Sequence, residues 1–268
     1  MDNRPIGLFD SGLGGLTCVP HLMRELPVEK MIYFGDTART PYGSKAFSTI
    51  RNFSLQITDF LVKNNAKMIV IACNTVSATS ITEIKAKFPD IPVIGIIEPA
   101  AEKAAGISYS GDRIGVIGTK ATIRSGAYEK HIKAANAEAN VFSIACPAIV
   151  PLIEEGIIDN EIMDLTIKYY MDDFIRENGI GTVVLGCTHY PFVRDNIERL
   201  YPGLKIVDPS REIVFKIKEE LTREGLLAVH PESENTFYAS DLSENFLKMI
   251  GHIFKDENFI VEFKNWEL

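Results

Sequence analysis

Short apolar runs alternate along most of the chain with longer segments of helical period. The runs Ile6–Phe9, Met31–Phe34, Met68–Ala72, Val93–Ile96, Ile114–Ile117, Val141–Ile144, Thr182–Leu185 and Lys205–Val207 span three to five residues each. Most are rich in Val, Ile and Met and bounded by glycine or polar residues, which predicts strands buried on both faces. Between them, Ile50, Phe53, Ile57 and Leu61 share one face of a helix, and Met163, Ile167, Tyr170 and Phe174 share another, with Gly179 placed to stop the second. Strand–helix alternation on this scale predicts parallel α/β architecture.

A weak internal repeat refines that expectation. "PIGLFDSG" from Pro5 resembles "RIGVIGTK" from Arg113, each a strand followed by a polar turn. Gly7 precedes Cys73 by 66 residues and Gly115 precedes Cys187 by 72, with a second strand about 26 residues after each glycine, at Tyr33 and Phe142. Both cysteines then close the third strand of equivalent units. The expectation is two similar parallel-sheet α/β domains related by pseudo-symmetry, one formed by residues 1–97 plus 208–268 and the other by 98–207. Ligands of open parallel sheets bind beyond the carboxyl ends of the strands. An active site is therefore expected in the cleft between the domains, with Cys73 and Cys187 reaching a ligand from opposite sides. Matching chemistry on two faces suits a reaction that inverts its substrate.

Composition narrows the function classes. The 268 residues are 46% hydrophobic and 24% charged, as in a globular protein with a substantial core. A formal charge of -8 argues against a nucleic-acid footprint. No apolar run approaches the roughly 18 residues of a membrane helix, and "MDNRPIGLFD" lacks a signal-type segment, so neither a membrane nor a nucleic acid is expected as partner and the expected location is cytoplasmic. The four cysteines include no CxxC pair, and in such a setting they form no disulfide framework. Cys18, at helical spacing with Leu22 and Leu26, and Cys146 suit the core. Cys73 and Cys187 are each followed by polar residues, which predicts exposed strand ends.

The candidate chemistry clusters around those two thiols. "FDSGLGGLT" has a glycine-rich turn after a strand, but the dinucleotide pattern from Gly12 fails at Thr17. What remains is a turn with free backbone N–H groups, where Asp10 and Ser11 are either a cap or ligand contacts. "GDTARTPYGSK" offers the Tyr42 hydroxyl and the Gly43 amide as candidate donors. "ACNTV" puts Asn74 and Thr75 at a helix start, where amides favour the thiolate of Cys73. "GCTHYP" repeats this with Thr188 and His189 beside Cys187 and with Pro191 suited to a first helical turn. A zinc site of Cys73, Cys187 and His189 lacks the usual ligand spacing, and no metal is expected. In "PLIEEGI", Glu154 and Glu155 are ordinarily solvated, although one of them can support His189.

Assembled in order, "IGLFDSGLGGLT", "GDTARTPYG", "IACNT", "PVIGIIEP", "ATIRSGAY" and "LGCTHYP" resemble the glutamate racemases of the cofactor-independent aspartate/glutamate racemase superfamily. Val76, Ser77 and Phe192 depart from the family's usual residues without removing a reacting group. The resemblance implies interconversion of L- and D-glutamate without a cofactor, supplying D-glutamate for peptidoglycan, by a homodimer. It assigns acid/base roles to Cys73 and Cys187, with Asp10 assisting Cys73, and with His189 and a glutamate, carried here as Glu154, assisting Cys187. Asp10, Ser11, Tyr42, Gly43, Asn74, Thr75, Thr188 and His189 fall on the family's substrate-binding positions. Since the chain is acidic overall, neutral donors rather than long-range attraction are expected to recognise the carboxylates. A racemase of aspartate or another small amino acid is the nearest alternative. A zinc or thiol-redox protein and a two-lobed binding module without turnover are the others.

Overall fold

The computed structural model describes residues 1–108, 112–230, 235–241, 250–251, 253–254 and 263–265. Its strands are β1 (Ile6–Asp10), β2 (Met31–Gly35), β3 (Met68–Ile71), β4 (Val93–Gly95), β5 (Arg113–Gly118), β6 (Asn140–Ala145), β7 (Thr182–Gly186), β8 (Lys205–Val207), β9 (Thr236–Ala239) and β10 (Phe263–Asn265). All eight predicted strands are present, each displaced by at most a residue or two at its ends. They form two wholly parallel sheets, one in the order β10-β9-β2-β1-β3-β4 and the other β6-β5-β7-β8. Setting β1 against β5 makes β2-β1-β3-β4 correspond to β6-β5-β7-β8, which is the order the repeat demands.

The repeat has a packing cause at its two glycines. A Cβ on Gly7 would stand 2.9 Å from Ala66 Cβ, and one on Gly115 would stand 2.9 Å from Ile180 Cγ2. In both halves the residue leading into the third strand packs on the central strand, where real Cβ contacts are never so short. Only glycine fits.

β9 and β10 were not anticipated. "TFYA" alternates between buried and half-buried positions over four residues, too short a pattern to stand out. These strands extend the first sheet beyond β2, with Gly35 paired to Ala239.

Helices cover the sheets as their stripes predict, from α1 (Val19–Glu25) onward, with α5 (Lys120–Ser125) and α9 (Arg194–Leu200) among them. Helix α2 (Phe47–Lys63) buries Ile50, Ile57 and Leu61 and leaves Phe53 only partly covered. Helix α8 (Glu161–Asn178) buries Met163, Ile167, Met171 and Phe174, while Tyr170 is partly buried. Asn160 caps its start by accepting from the Met163 amide at 3.1 Å, and Gly179 ends it at φ 59° in the left-handed region. Helix α4 (Ile97–Gly106) joins the halves. Its buried Ala100, Ala101, Ala104 and Ala105 permit close packing against helix α6 (Ala127–Ala135), helix α10 (Pro209–Arg223) and β7. One continuous apolar core consequently runs from β1 and β3 through α4 to β5 and β7. Among the described residues no helix is long and apolar enough to cross a membrane.

Candidate active site

A cavity opens between the carboxyl ends of the two sheets, lined by Ser11 after β1, Cys73 after β3, Thr119 after β5, Cys146 after β6 and Cys187 after β7. Its volume is about 120 Å³.

Cys73 precedes helix α3 (Asn74–Lys87) and serves as its N-cap residue in extended backbone. Its S–H donates to Ser11 Oγ at 3.5 Å. The expectation of exposed strand ends is corrected here, since Cys73 is 3% and Cys187 5% exposed. The favoured thiolate is corrected too. Burial, and after it the charge of Asp10, push the Cys73 thiol well above its usual range, outweighing the Ser11 hydroxyl and the Val76 and Ser11 amides.

Asp10 ends β1 and is fully buried. Its Oδ2 accepts from the Gly15 amide at 2.8 Å and from Thr188 Oγ1 at 3.5 Å, so it touches the far wall of the cleft. Its Oδ1 is buried without a hydrogen-bond partner. The glycines that follow are there for proximity. A Cβ on Gly14 would lie 2.3 Å from Thr188 Oγ1 and 2.8 Å from His189 Nδ1, and one on Gly15 would lie 2.6 Å from Asp10 Cβ. The glycine-rich turn is the seam where the two walls meet.

On the opposite wall, Cys187 Sγ lies 3.9 Å from His189 Nδ1. His189 Nε2 stands 3.2 Å from Glu154 Oε1 at the end of helix α7 (Ile149–Glu154), an ion-pair distance without hydrogen-bond alignment. Glu155, by contrast, is exposed. Burial alone pulls the His189 imidazole down, but its contacts with Cys187 and Glu154 prevail and raise it to about 10. It is therefore an imidazolium at neutral pH, able to exchange a proton with the neighbouring sulfur.

Asn74 is the most informative polar group. Its Oδ1 accepts from the Tyr128 hydroxyl at 2.6 Å, while its Nδ2 is buried without a hydrogen-bond partner, and the residue lines the cavity. An oriented amide with uncommitted donors suits a carboxylate. Nearby, Thr75 Oγ1 lies 3.0 Å from Thr119 Oγ1 and 3.4 Å from Thr122 Oγ1, so the two walls share a cluster of hydroxyls.

The Tyr42–Gly43 wall differs from its expectation. The Tyr42 hydroxyl donates to Asp36 Oδ2, so its proton is not available to a ligand. Burial, with the Asp36 charge, pushes the phenol far above its usual range. Gly43 packs against the other wall, where a Cβ would meet Thr119 Cβ at 2.6 Å.

Of the catalytic and substrate-binding residues expected from the sequence, all line this cavity except Asp10, which stands behind Ser11, and Glu154, which supports His189. Cys18 is buried elsewhere in the core, whereas Cys146 lines the cavity as a third thiol, pushed by burial up to about 12. Sequence reasoning missed Tyr128, Thr119, Thr122 and Asp36. Tyr128 ends the quoted "ATIRSGAY", yet nothing in a helical stripe distinguishes a core tyrosine from one that orients an amide. Among the described residues no three His, Cys, Asp or Glu side chains converge as metal ligands.

The Asp/Glu/Hydantoin racemase family matches residues 18–216 of the chain. The chain is 46% identical over 250 residues to a glutamate racemase of Geobacter metallireducens, covering 92% of this chain and 91% of that one. Among solved structures it is similar to the glutamate racemase of Francisella tularensis subsp. tularensis SCHU S4 in complex with D-glutamate, with a TM-score of 0.91 and 36% identity over 100% of this chain and 98% of that one. It is likewise similar to the glutamate racemase isoform RacE1 of Bacillus anthracis, with a TM-score of 0.93 and 30% identity over 100% and 99% of the respective chains.

Proposed function

The chain belongs to the Asp/Glu/Hydantoin racemase family, and we propose that within it the protein interconverts L- and D-glutamate with two thiols and no cofactor. The protein is an enzyme, a racemase, and so an isomerase. The observation that carries the mechanistic reading is the pair Cys73 and Cys187, set at equivalent strand ends on opposite walls of one cavity.

One sulfur, as thiolate, takes the α-proton from one face while the opposite thiol gives a proton to the other. By family resemblance Cys187 is the base toward L-glutamate and Cys73 toward D-glutamate. His189, an imidazolium backed by Glu154, exchanges the proton on the Cys187 side. Asp10, with an unpartnered buried oxygen, is suited to the ligand's ammonium and to the proton balance at Cys73. The carbanion-like transition state is stabilised by donors already oriented toward the carboxylate, the Asn74 amide first among them, in a site with little water. Ser11, Thr75, Thr188 and the backbone at Tyr42–Gly43 complete the contacts around the ligand. In this reading residues 1–97 plus 208–268 and residues 98–207 are the two lobes. The product supplies peptidoglycan synthesis in the cytoplasm, and the enzyme acts as a homodimer, as the resemblance implies.

The test is chiral analysis of L-glutamate incubated in D2O with purified protein and no added cofactor. D-glutamate labelled at Cα is expected, with the rate falling by about 10³-fold or more in Cys73→Ser and in Cys187→Ser. With an analogue carrying a β leaving group, Cys73→Ser should retain elimination from the L enantiomer and Cys187→Ser from the D enantiomer. Unlabelled product formed at the full rate, or mutants that treat both enantiomers alike, would refute the opposed-thiol reading.

A further inference from the structure

We propose that Ser240, contributed by the C-terminal segment and lying outside the cavity, is a positioning residue for the Tyr42 wall of the site, acting through the buried carboxylate of Asp36. The inference rests on the glutamate racemase reading above and adds a residue 204 positions along the chain from the carboxylate it holds.

Among the described residues, the first sheet carries two strands, β9 and β10, that have no counterpart beyond β6 in the second. This break in the pseudo-symmetry falls beside β2, directly behind the loop that supplies Tyr42 and Gly43. Where β9 ends, the chain is fastened to that loop. The Ser240 amide donates to Gly35 O at 3.1 Å, the Asp241 amide donates to Thr37 Oγ1 at 2.8 Å, and the Ala38 amide donates to Ser240 Oγ at 2.9 Å.

The Ser240 hydroxyl then donates to Asp36 Oδ1 at 2.9 Å. Asp36 is fully buried, and its Oδ2 accepts from Arg39 Nε at 2.6 Å and from the Tyr42 hydroxyl. Hydrogen bonds to an ionised carboxylate are the strong class. Asp36 is therefore held on one oxygen by Ser240, the residue that follows β9, and with the other it fixes the ring that lines the cavity. The far side of the same turn has no slack, because Gly43 is pressed against Thr119. If Asp36 turns, Tyr42 must move relative to the ligand.

Steady-state racemisation of L-glutamate, followed by circular dichroism, tests this with Ser240→Ala, Ser240→Thr, Tyr42→Phe and the double variant Ser240→Ala/Tyr42→Phe. Ser240→Ala should raise KM by about 5- to 10-fold, the scale of one lost charge-assisted hydrogen bond transmitted in part. Its kcat should change by less than about twofold, since the wall touches substrate and not the moving proton. Ser240→Thr, which keeps the hydroxyl, should restore KM. In the Tyr42→Phe background Ser240→Ala should add less than about twofold, because the path runs through the hydroxyl already removed.

A wild-type KM in Ser240→Ala overturns the proposal, as does a penalty undiminished by Tyr42→Phe. If Ser240→Ala does not fold, Ser240→Cys, similar in shape with a weaker donor, carries the same expectations and the same refutations. Wild-type protein that fails to racemise glutamate would instead sink the functional reading itself, so the two failures are separable.

Discussion

Replacing Gly14 by alanine tests whether the glycine-rich turn is a seam between the catalytic walls. The added Cβ would stand 2.3 Å from Thr188 Oγ1, 2.8 Å from Thr188 Cβ and 2.8 Å from His189 Nδ1. Ordinary contact lies near 3.5–4.0 Å, so one side must retreat by about 1 Å. The backbone itself offers no obstacle, since Gly14 opens a 3-10 turn and lies outside the positive-φ glycines. Alanine is worth about 1 kcal/mol over glycine in a helical setting. Overpacking costs about 1–3 kcal/mol, so the net destabilisation is about 0–2 kcal/mol. For a chain of this length that lowers Tm by at most about 8 °C. Activity should fall much further. Thr188 and His189 follow Cys187 directly, and a misplacement of about 1 Å at a reacting group costs about 100-fold. The expected result is a roughly 100-fold lower kcat in both directions with a folded protein, measured by circular dichroism of the substrate beside a thermal melt. Gly12→Ala is the control, because its nearest contacts are Thr40 Oγ1 at 3.3 Å and Thr40 Cβ at 3.7 Å, and only a few-fold loss is expected. A Gly14→Ala enzyme with wild-type kcat and Tm would refute the seam.

Two further outcomes follow from the site. Tyr128→Phe removes the hydroxyl that holds the Asn74 amide and should raise KM by about 5- to 10-fold; unchanged kinetics would show that this amide does not bind the substrate. His189, raised from 6.5 to about 10, should give kcat/KM an alkaline limb near pH 10 that moves downward in Glu154→Gln. Because the folded value is raised, the contact's contribution to stability is fully present below pH ~6.5 and is lost as pH rises through about 10. Denaturant melts should therefore show the wild type ahead of Glu154→Gln near neutrality and level with it above about pH 10. A gap that widens with pH would reverse the assignment.

The sequence alone determined the parallel α/β class, the eight principal strands and the equivalence of Cys73 with Cys187. Those features are written in local period, in glycine spacing and in short motifs, and each acts within one strand–helix unit. Tertiary structure decided everything that depends on two distant segments meeting. The exposed strand ends of the sequence reading became buried thiols, because the two walls close on one another, with Gly14 against Thr188 and Gly43 against Thr119. Glu154 rather than Glu155 faces His189, because α7 ends with only one of them turned inward. The Tyr42 hydroxyl, expected to meet a ligand, is committed to Asp36, whose other oxygen is held by Ser240, 204 residues away along the chain. Periodicity reports which face of an element is apolar, but it carries no information on which polar atom across a cleft will take a given proton. That is fixed only when the packing of the whole core sets the two walls a few ångströms apart.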